Sequence, residues 1–436
     1  MVKLARVALL GALGSVACSS HIASTQASEP AAAEDAGDSA SSSSAAEVPR
    51  DTATPAELAP AAGCNPRTSI SPPNSEVLRG FENGSPITGV AGDAHRNVLL
   101  ARSGQETLKL TLAGALAWSK PFGALVATDG RDNVYVAGTL KAELPLGATV
   151  LRPHGGTDAY LVKLDSDGNV TYGLTLGAAE DDEALSLAAA ADGEVVISGA
   201  GLGTVKLDAS GNVAWTKPVV GYVALDSRGD VLVASELNDA LDLGAGVLRS
   251  AGGADVLVVK LSALGVHIFS RRFGDAAHQR GQAIAVDAQD SVLVGGTFAG
   301  ELDFGVGVLS LPAGTCSSQV WCQAAGFVAK LDQDGNALWS VSSGPMRSVA
   351  GLSVDSRGNV LVSGALPGNV TPFHMPTLTE LSSDGAQRWQ RSEWPETGIG
   401  AGHGVLVDRC DDVLWSVSAL PTLGADERPY LARLSQ

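Results

Sequence analysis

Four consecutive carboxylates, Glu180, Asp181, Asp182 and Glu183, are the densest concentration of chemically active groups in this sequence. A hard cation such as calcium takes several carboxylate oxygens, and a run of this kind supplies them. The same run also reads as a solvated link between two structural units, which needs charge but no ligand. His278 with Arg280, and His403 further on, are the remaining polar groups placed where a site would need them. Without an H-E-x-x-H spacing the histidines carry no metalloprotease signature, and exposed loop positions account for them as well. Trp321 stands between Cys316 and Cys322 in a short loop. A rigid aromatic on a constrained loop offers a large contact area at low entropic cost, so it can anchor a partner, stack on a sugar ring, or simply cover the core beneath it.

Other chemistry is excluded by the spacings that are missing. No Ser has Gly two places before and two places after it, so there is no nucleophile elbow, and no Gly-Lys-Ser or Gly-Lys-Thr phosphate loop occurs. In LDSDGN, Asp165, Asp167 and Asn169 match the start of a calcium loop, but the remaining ligands and the closing Glu are absent, and turn chemistry explains the motif. Asp303, Phe304 and Gly305 have no other kinase motif around them. A net charge of -18 with no basic stripe argues against a nucleic-acid partner. No catalytic residue, metal set or cofactor is assigned; calcium at the acidic run is the one cation worth testing.

The elements that must position these groups are legible because they repeat. An Asp, a tight turn and a short apolar run recur at Asp93, Asp129, Asp192, Asp226, Asp287, Asp355 and Asp408. Asp at a turn start accepts backbone N–H bonds, and Gly229 or Gly358 supplies a positive φ, so each phrase predicts a β-hairpin. A second phrase follows, as in VKLDASGNVAW, with an aromatic four residues after the turn Gly: Trp118, Tyr172, Trp215, Phe269, Trp339 and Trp389. Side chains alternate along a strand with period two, so these aromatics occupy one equivalent packing position per unit. Abundant Gly, 52 residues, and only 5% aromatics fit short strands joined by turns.

Two hairpins make a four-stranded antiparallel sheet, and seven such sheets predict an all-β, seven-bladed β-propeller over residues 64–436. The last unit ends on a third strand, PYLARLSQ, while an unpaired segment, EVLRGFE from Glu76, precedes the first. The N-terminal strand is therefore expected to complete the seventh blade and close the ring. Extra length falls between the second and third strands of blades two, four and five. Together with the blade-to-blade links, these connections define a loop face, the expected binding surface, and it carries the acidic run, His278, Arg280, His403 and Trp321.

The repeats resemble the bacterial seven-bladed propeller repeats abbreviated SBBP, most clearly over AIAVDAQDSVLVGGTFAGELDFGVGVLSL and GFVAKLDQDGNALWSVSSG. That resemblance implies the propeller fold and a life outside the cytoplasm, and no single activity.

The N-terminus points to the same address. Lys3 and Arg6 precede an apolar run too short to span a bilayer, so residues 1–17 read as a signal peptide. The segment SVAC resembles the lipobox of bacterial lipoproteins, whose Cys, here Cys18, becomes the lipidated first residue. Ser15 stands where that family usually has Leu, so cleavage at an A-x-A-like site is the competing reading. Ser19 after the Cys implies, by the same resemblance, sorting to the outer membrane. Residues 18–63, rich in Ala, Ser and Glu, have almost no large apolar side chain to offset the entropy of ordering and read as a disordered tether. Cys64, Cys316, Cys322 and Cys410 remain, an even number in an oxidising compartment. Of three possible connectivities, the expected one pairs Cys316 with Cys322 and Cys64 with Cys410; free buried thiols are the alternative.

The function expected from these readings is that of a non-enzymatic, monomeric surface lipoprotein binding a protein or glycan through its loop face, touching membrane only through its lipid. The competing expectation is a metal-dependent propeller lyase or lactonase with its site at the channel mouth.

Overall fold

The computed structural model describes residues 74–435 except 82–84, 105, 312–323, 345–347, 368–373, 393–398 and 421–427. Every element in it is a β-strand, and the strands form seven antiparallel four-stranded blades of a β-propeller. In blade four the order from the axis outward is Tyr222–Leu225, Val231–Leu237, Asp255–Leu261 and His267–Phe273. The innermost strands of neighbouring blades touch all the way round, with Ile87–Gly92 of blade one against Ile399–Val407 of blade seven. The closure expected from sequence is present: Asn74–Gly80 pairs antiparallel with Arg428–Ser435 as the outer strand of blade seven. Two-stranded ribbons fill the long connections of blades two, four and five, where the sequence carries its extra length.

Turn chemistry explains the hairpins. Asp226 Oδ1 accepts the N–H groups of Arg228 and Asp230, both at 2.9 Å, and the same pair of bonds forms at Asp93, Asp129, Asp287, Asp355 and Asp408. Where Gly229 or Gly358 is not available, Arg96, Asp132, Asp290 and Asp411 take the positive φ themselves. Blade three departs from the expected frame. Its turn opens at Ala190, whose N–H bonds Glu194 O, and Asp192 is the third residue of the turn, because the backbone bonds, not the Asp-Gly pair, set the register.

The equivalent aromatics have a partner that no local pattern reveals. Five of the six rings pack on the turn glycine of the next blade. A Cβ on Gly265 would sit 2.9 Å from the Trp215 ring, and one on Gly385 would sit 2.9 Å from Trp339. Trp118 meets Gly168, Tyr172 meets Gly211 and Phe269 meets Gly335 in the same way. At the seam Leu78 of the closing strand takes the aromatic's place against Gly114 of blade one. The hydrophobic core is correspondingly shared between blades: Tyr135, Ala137 and Leu161 of blade two pack with Val195, Ile197 and Leu207 of blade three.

Candidate functional site

Two faces result, each with its own chemistry. The face of the tight turns is stitched from blade to blade. Asp132 accepts the Ala94 N–H at 2.7 Å, Asp290 accepts the Ser227 N–H and hydroxyl, and Asp411 accepts those of Ser356. Arg96 of blade one reaches Asp408 at 2.7 Å and Asp412 at 2.5 Å across the seam. Asp93, His95 and Asp132 form the one group of three metal-ligating side chains among the described residues. Its acids are already engaged, since Lys109 Nζ lies 2.9 Å from Asp93 and His95 Nδ1 lies 2.9 Å from Asp132.

A buried cation beneath the turns is the residue class that sequence reasoning missed. The third strand of most blades ends in Lys-Leu, and Lys109, Lys206, Lys260 and Lys330 are buried with their ammonium groups against turn carboxylates. A Lys before Leu on a strand reads as outward-facing, so only its strict recurrence in the repeats could have flagged it. Burial tends to push the Asp93 carboxyl up, but bonds from Asn97 and Lys109 outweigh it and hold the group below the ordinary carboxylate range. A lowered folded-state value contributes stability above the unfolded value and loses it as pH falls through the folded one. Unfolding free energy should therefore drop as the pH is lowered below about 4, and Lys109→Met should flatten that acid limb in urea titrations. An unchanged slope in the variant would count against this assignment.

The loop face holds the groups expected to recognise a ligand, and the structure sorts them. Glu180 and Glu183 are exposed, whereas Asp182 is buried. The four carboxylates do not share one environment: Asp181 accepts the Thr157 N–H at 2.7 Å, and the Asp182 N–H bonds Thr157 O. In the next-but-one link, His278 Nδ1 accepts the Ala254 N–H at 3.2 Å and the Gln279 N–H bonds Ala254 O. Asp181 and His278 thus occupy the same position of the repeat, as do Glu183 and Arg280. His403 lies within the inner strand of blade seven, half-buried, with Nε2 2.8 Å from Ser418 Oγ, and burial lowers its pKa. Cys18, Cys64, Cys316, Cys322 and Trp321 fall outside the described residues, while Cys410 sits in the first turn of blade seven.

Arg280 belongs to a cleft on this face where blades three, four and five meet. The cleft encloses about 570 Å³ and is lined by Tyr222, Glu236, Asn238, Asp239, Arg280 and Gln282 over an apolar floor that includes Val219 and Leu257. Tyr222 opens the inner strand of blade four, and burial, then the Glu236 carboxylate, push its hydroxyl pKa up, so it stays a neutral donor. Arg280 Nε is 3.2 Å from Glu236 Oε2, with both side chains substantially exposed. An exposed pair of this kind is weak and exchanges readily for ligand contacts. The equivalent cleft between blades one and two, about 430 Å³, is lined by Phe122, Lys141, Glu143 and Tyr160. The fold makes this hollow at two places where a link meets a long second-to-third connection, and the lining distinguishes them.

No family model matches the chain. A stretch of 140 residues, 31% of the chain, is 29% identical to an uncharacterized WD repeat-containing protein of Acanthamoeba polyphaga mimivirus and spans 9% of that protein. Among solved structures, BamB from Moraxella catarrhalis aligns over 82% of this chain and 97% of its own, at 14% identity and a TM-score of 0.47. The β-propeller domain of Cps50 (Swd1) from Myceliophteria thermophila aligns over 83% of this chain and all of its own (100%), at 10% identity and a TM-score of 0.51. At such identities the likeness is one of architecture, and it agrees with the strand topology: this chain is a β-propeller.

Proposed function

We propose that this propeller is a non-enzymatic binding module held outside the cytoplasm by a lipid on Cys18, and that its ligand is a glycan seated in the cleft of Tyr222 and Arg280. The observation that carries the reading is the composition of that hollow. Five planar polar side chains, Glu236, Asn238, Asp239, Arg280 and Gln282, converge with one aromatic in a concavity of about 570 Å³. Planar amide, carboxylate and guanidinium groups can each bond two adjacent hydroxyls, and an aromatic face covers the apolar side of a sugar ring. A few convergent polar groups in a concave site are what small-ligand recognition requires, whereas a flat protein epitope does not need depth.

Glycan-array binding of the full chain should show a restricted set of oligosaccharides, and Tyr222→Ala or Arg280→Ala should weaken it by tenfold or more, about 1.4 kcal/mol. Leu264→Ala, on the opposite face, should leave it unchanged. Array binding that survives both cleft substitutions would remove the cleft from the reading. The expected disulfides, Cys64 with Cys410 and Cys316 with Cys322, and a role for Trp321 as an anchor for the partner belong to the same proposal.

A further inference from the structure

We infer that the seam between blades two and three holds a hard divalent cation of the calcium class between Asp158 and Asp182, independently of the glycan cleft. Asp158 begins the third strand of blade two and is 0% exposed. Its Oδ2 accepts the His154 N–H, while its Oδ1 is buried with no hydrogen-bond partner. Asp182, 5% exposed, arrives from the blade link, and its Oδ2 accepts the Ala178 N–H at 2.8 Å. The orphaned Asp158 Oδ1 and this Asp182 Oδ2 both lie within 2.5 Å of the point that a Cβ on Gly177 would occupy. Two buried carboxylates are therefore turned toward one spot that only glycine leaves open.

The same corner exists in blade four, where Asp255 Oδ1 is likewise buried without a hydrogen-bond partner, but there a guanidinium supplies counter-charge to the carboxylate. Asp255 is equivalent to Asp158, Gly274 to Gly177 and Gln279 to Asp182, with matching backbone bonds from Ala251 and to Ala254. Arg272 Nη1 lies 3.2 Å from Asp255 Oδ2, and the second carboxylate is replaced by an uncharged amide. In blade two the position of Arg272 is Thr175, whose hydroxyl donates to Arg152 O. No Lys or Arg forms an ion pair with Asp158 or Asp182 among the described residues. Burying two like charges without a counter-ion costs several kcal/mol. The internal comparison identifies what is missing as positive charge, and carboxylate oxygens converging on one point are the kind of donor calcium takes.

The test is thermal unfolding of the full chain from EGTA to ~10 mM calcium chloride, the span of extracellular calcium modules, with equilibrium dialysis of radioactive calcium alongside. The melting temperature should rise by roughly 1–3 °C per tenfold increase in free calcium once binding begins, with one ion retained per chain. Asp182→Asn should abolish the rise and the tight binding while raising the melting temperature in EGTA, because the repulsion is gone. Thr175→Arg should do the same by restoring the guanidinium of blade four, and Asp255→Asn should leave the calcium response intact. A wild-type protein that melts identically in EGTA and calcium overturns the site, and so does a full calcium response in folded Asp182→Asn. Glycan binding is read separately, so failure of either proposal leaves the other standing.

Discussion

A chain beginning at residue 82, and so lacking the closing strand, is expected to lose about 5 kcal/mol or more of stability relative to one beginning at residue 64. Asn74–Gly80 supplies one side of a ladder along Arg428–Ser435, and the Phe81 N–H adds a bond of 3.0 Å to Pro429 O. Phe81 and Leu78 pack into the cluster of Leu100, Leu108, Leu414 and Leu431, which joins blade one to blade seven. Removing one buried Phe alone costs about 3–5 kcal/mol, and a lost ladder leaves the last blade with a bare edge. Since a native domain has only about 5–15 kcal/mol in hand, the truncated chain should unfold at markedly lower denaturant or aggregate. Adding a synthetic peptide of residues 74–81 should restore part of the loss in a concentration-dependent way. Were the two chains to unfold at the same urea midpoint, the seam would have to be held by something other than this strand.

The second large effect is expected at Lys206, where Ala should cost about 3–5 kcal/mol. This side chain is only 1% exposed, and its ammonium makes three contacts: Glu194 Oε2 at 2.6 Å, Gly229 O at 3.0 Å and Ala263 O at 3.1 Å. The carboxylate belongs to its own blade and both carbonyls to the next, so one charge ties two blades together. Trp215 Nε1 donates to the same Ala263 O at 3.0 Å. Hydrogen bonds from a charged donor contribute about 1.5–3 kcal/mol each; Gly229 O would lose the lysine's bond, and Ala263 O would keep only that of the Trp215 N–H. Trp215→Phe, which keeps the ring and loses the N–H, should cost about 1 kcal/mol. A double-mutant cycle by urea unfolding should show coupling of at least about 0.5 kcal/mol between the two positions, because they share one acceptor. A fully additive cycle would mean that lysine and tryptophan hold the seam independently.

Blade three shows where local reading ran short. Its turn phrase contains Asp192 followed by Gly193, which looks like the others, yet the turn opens two residues earlier, at Ala190. With no Asp at the turn start, Lys206 pairs with Glu194 instead, whereas Lys260 pairs with Asp226 in blade four. Similar letters at neighbouring positions are distinguishable only by which carbonyl receives which N–H. The acidic run illustrates the same limit: four adjacent carboxylates are alike in sequence, but the strand start at Asp158 turns one of them, Asp182, into a buried group and leaves Glu180 and Glu183 exposed.

What the amino-acid order determined by itself was everything governed by near neighbours: the strand alternation, the Asp and Gly turns, the equivalent aromatic in each unit, and a spare strand at the front for a last unit one strand short. These rest on backbone bonds and on periodicities spanning a few residues. Only the tertiary structure decided that five of the six aromatics seat on the next blade's glycine, that Lys206 bridges blades, that Asp181 and His278 are one position, and that Tyr222, Glu236 and Arg280 line a single cleft. Those facts depend on burial and on charges brought together from distant parts of the chain, and Coulomb and desolvation energies follow distance in space, not separation in sequence.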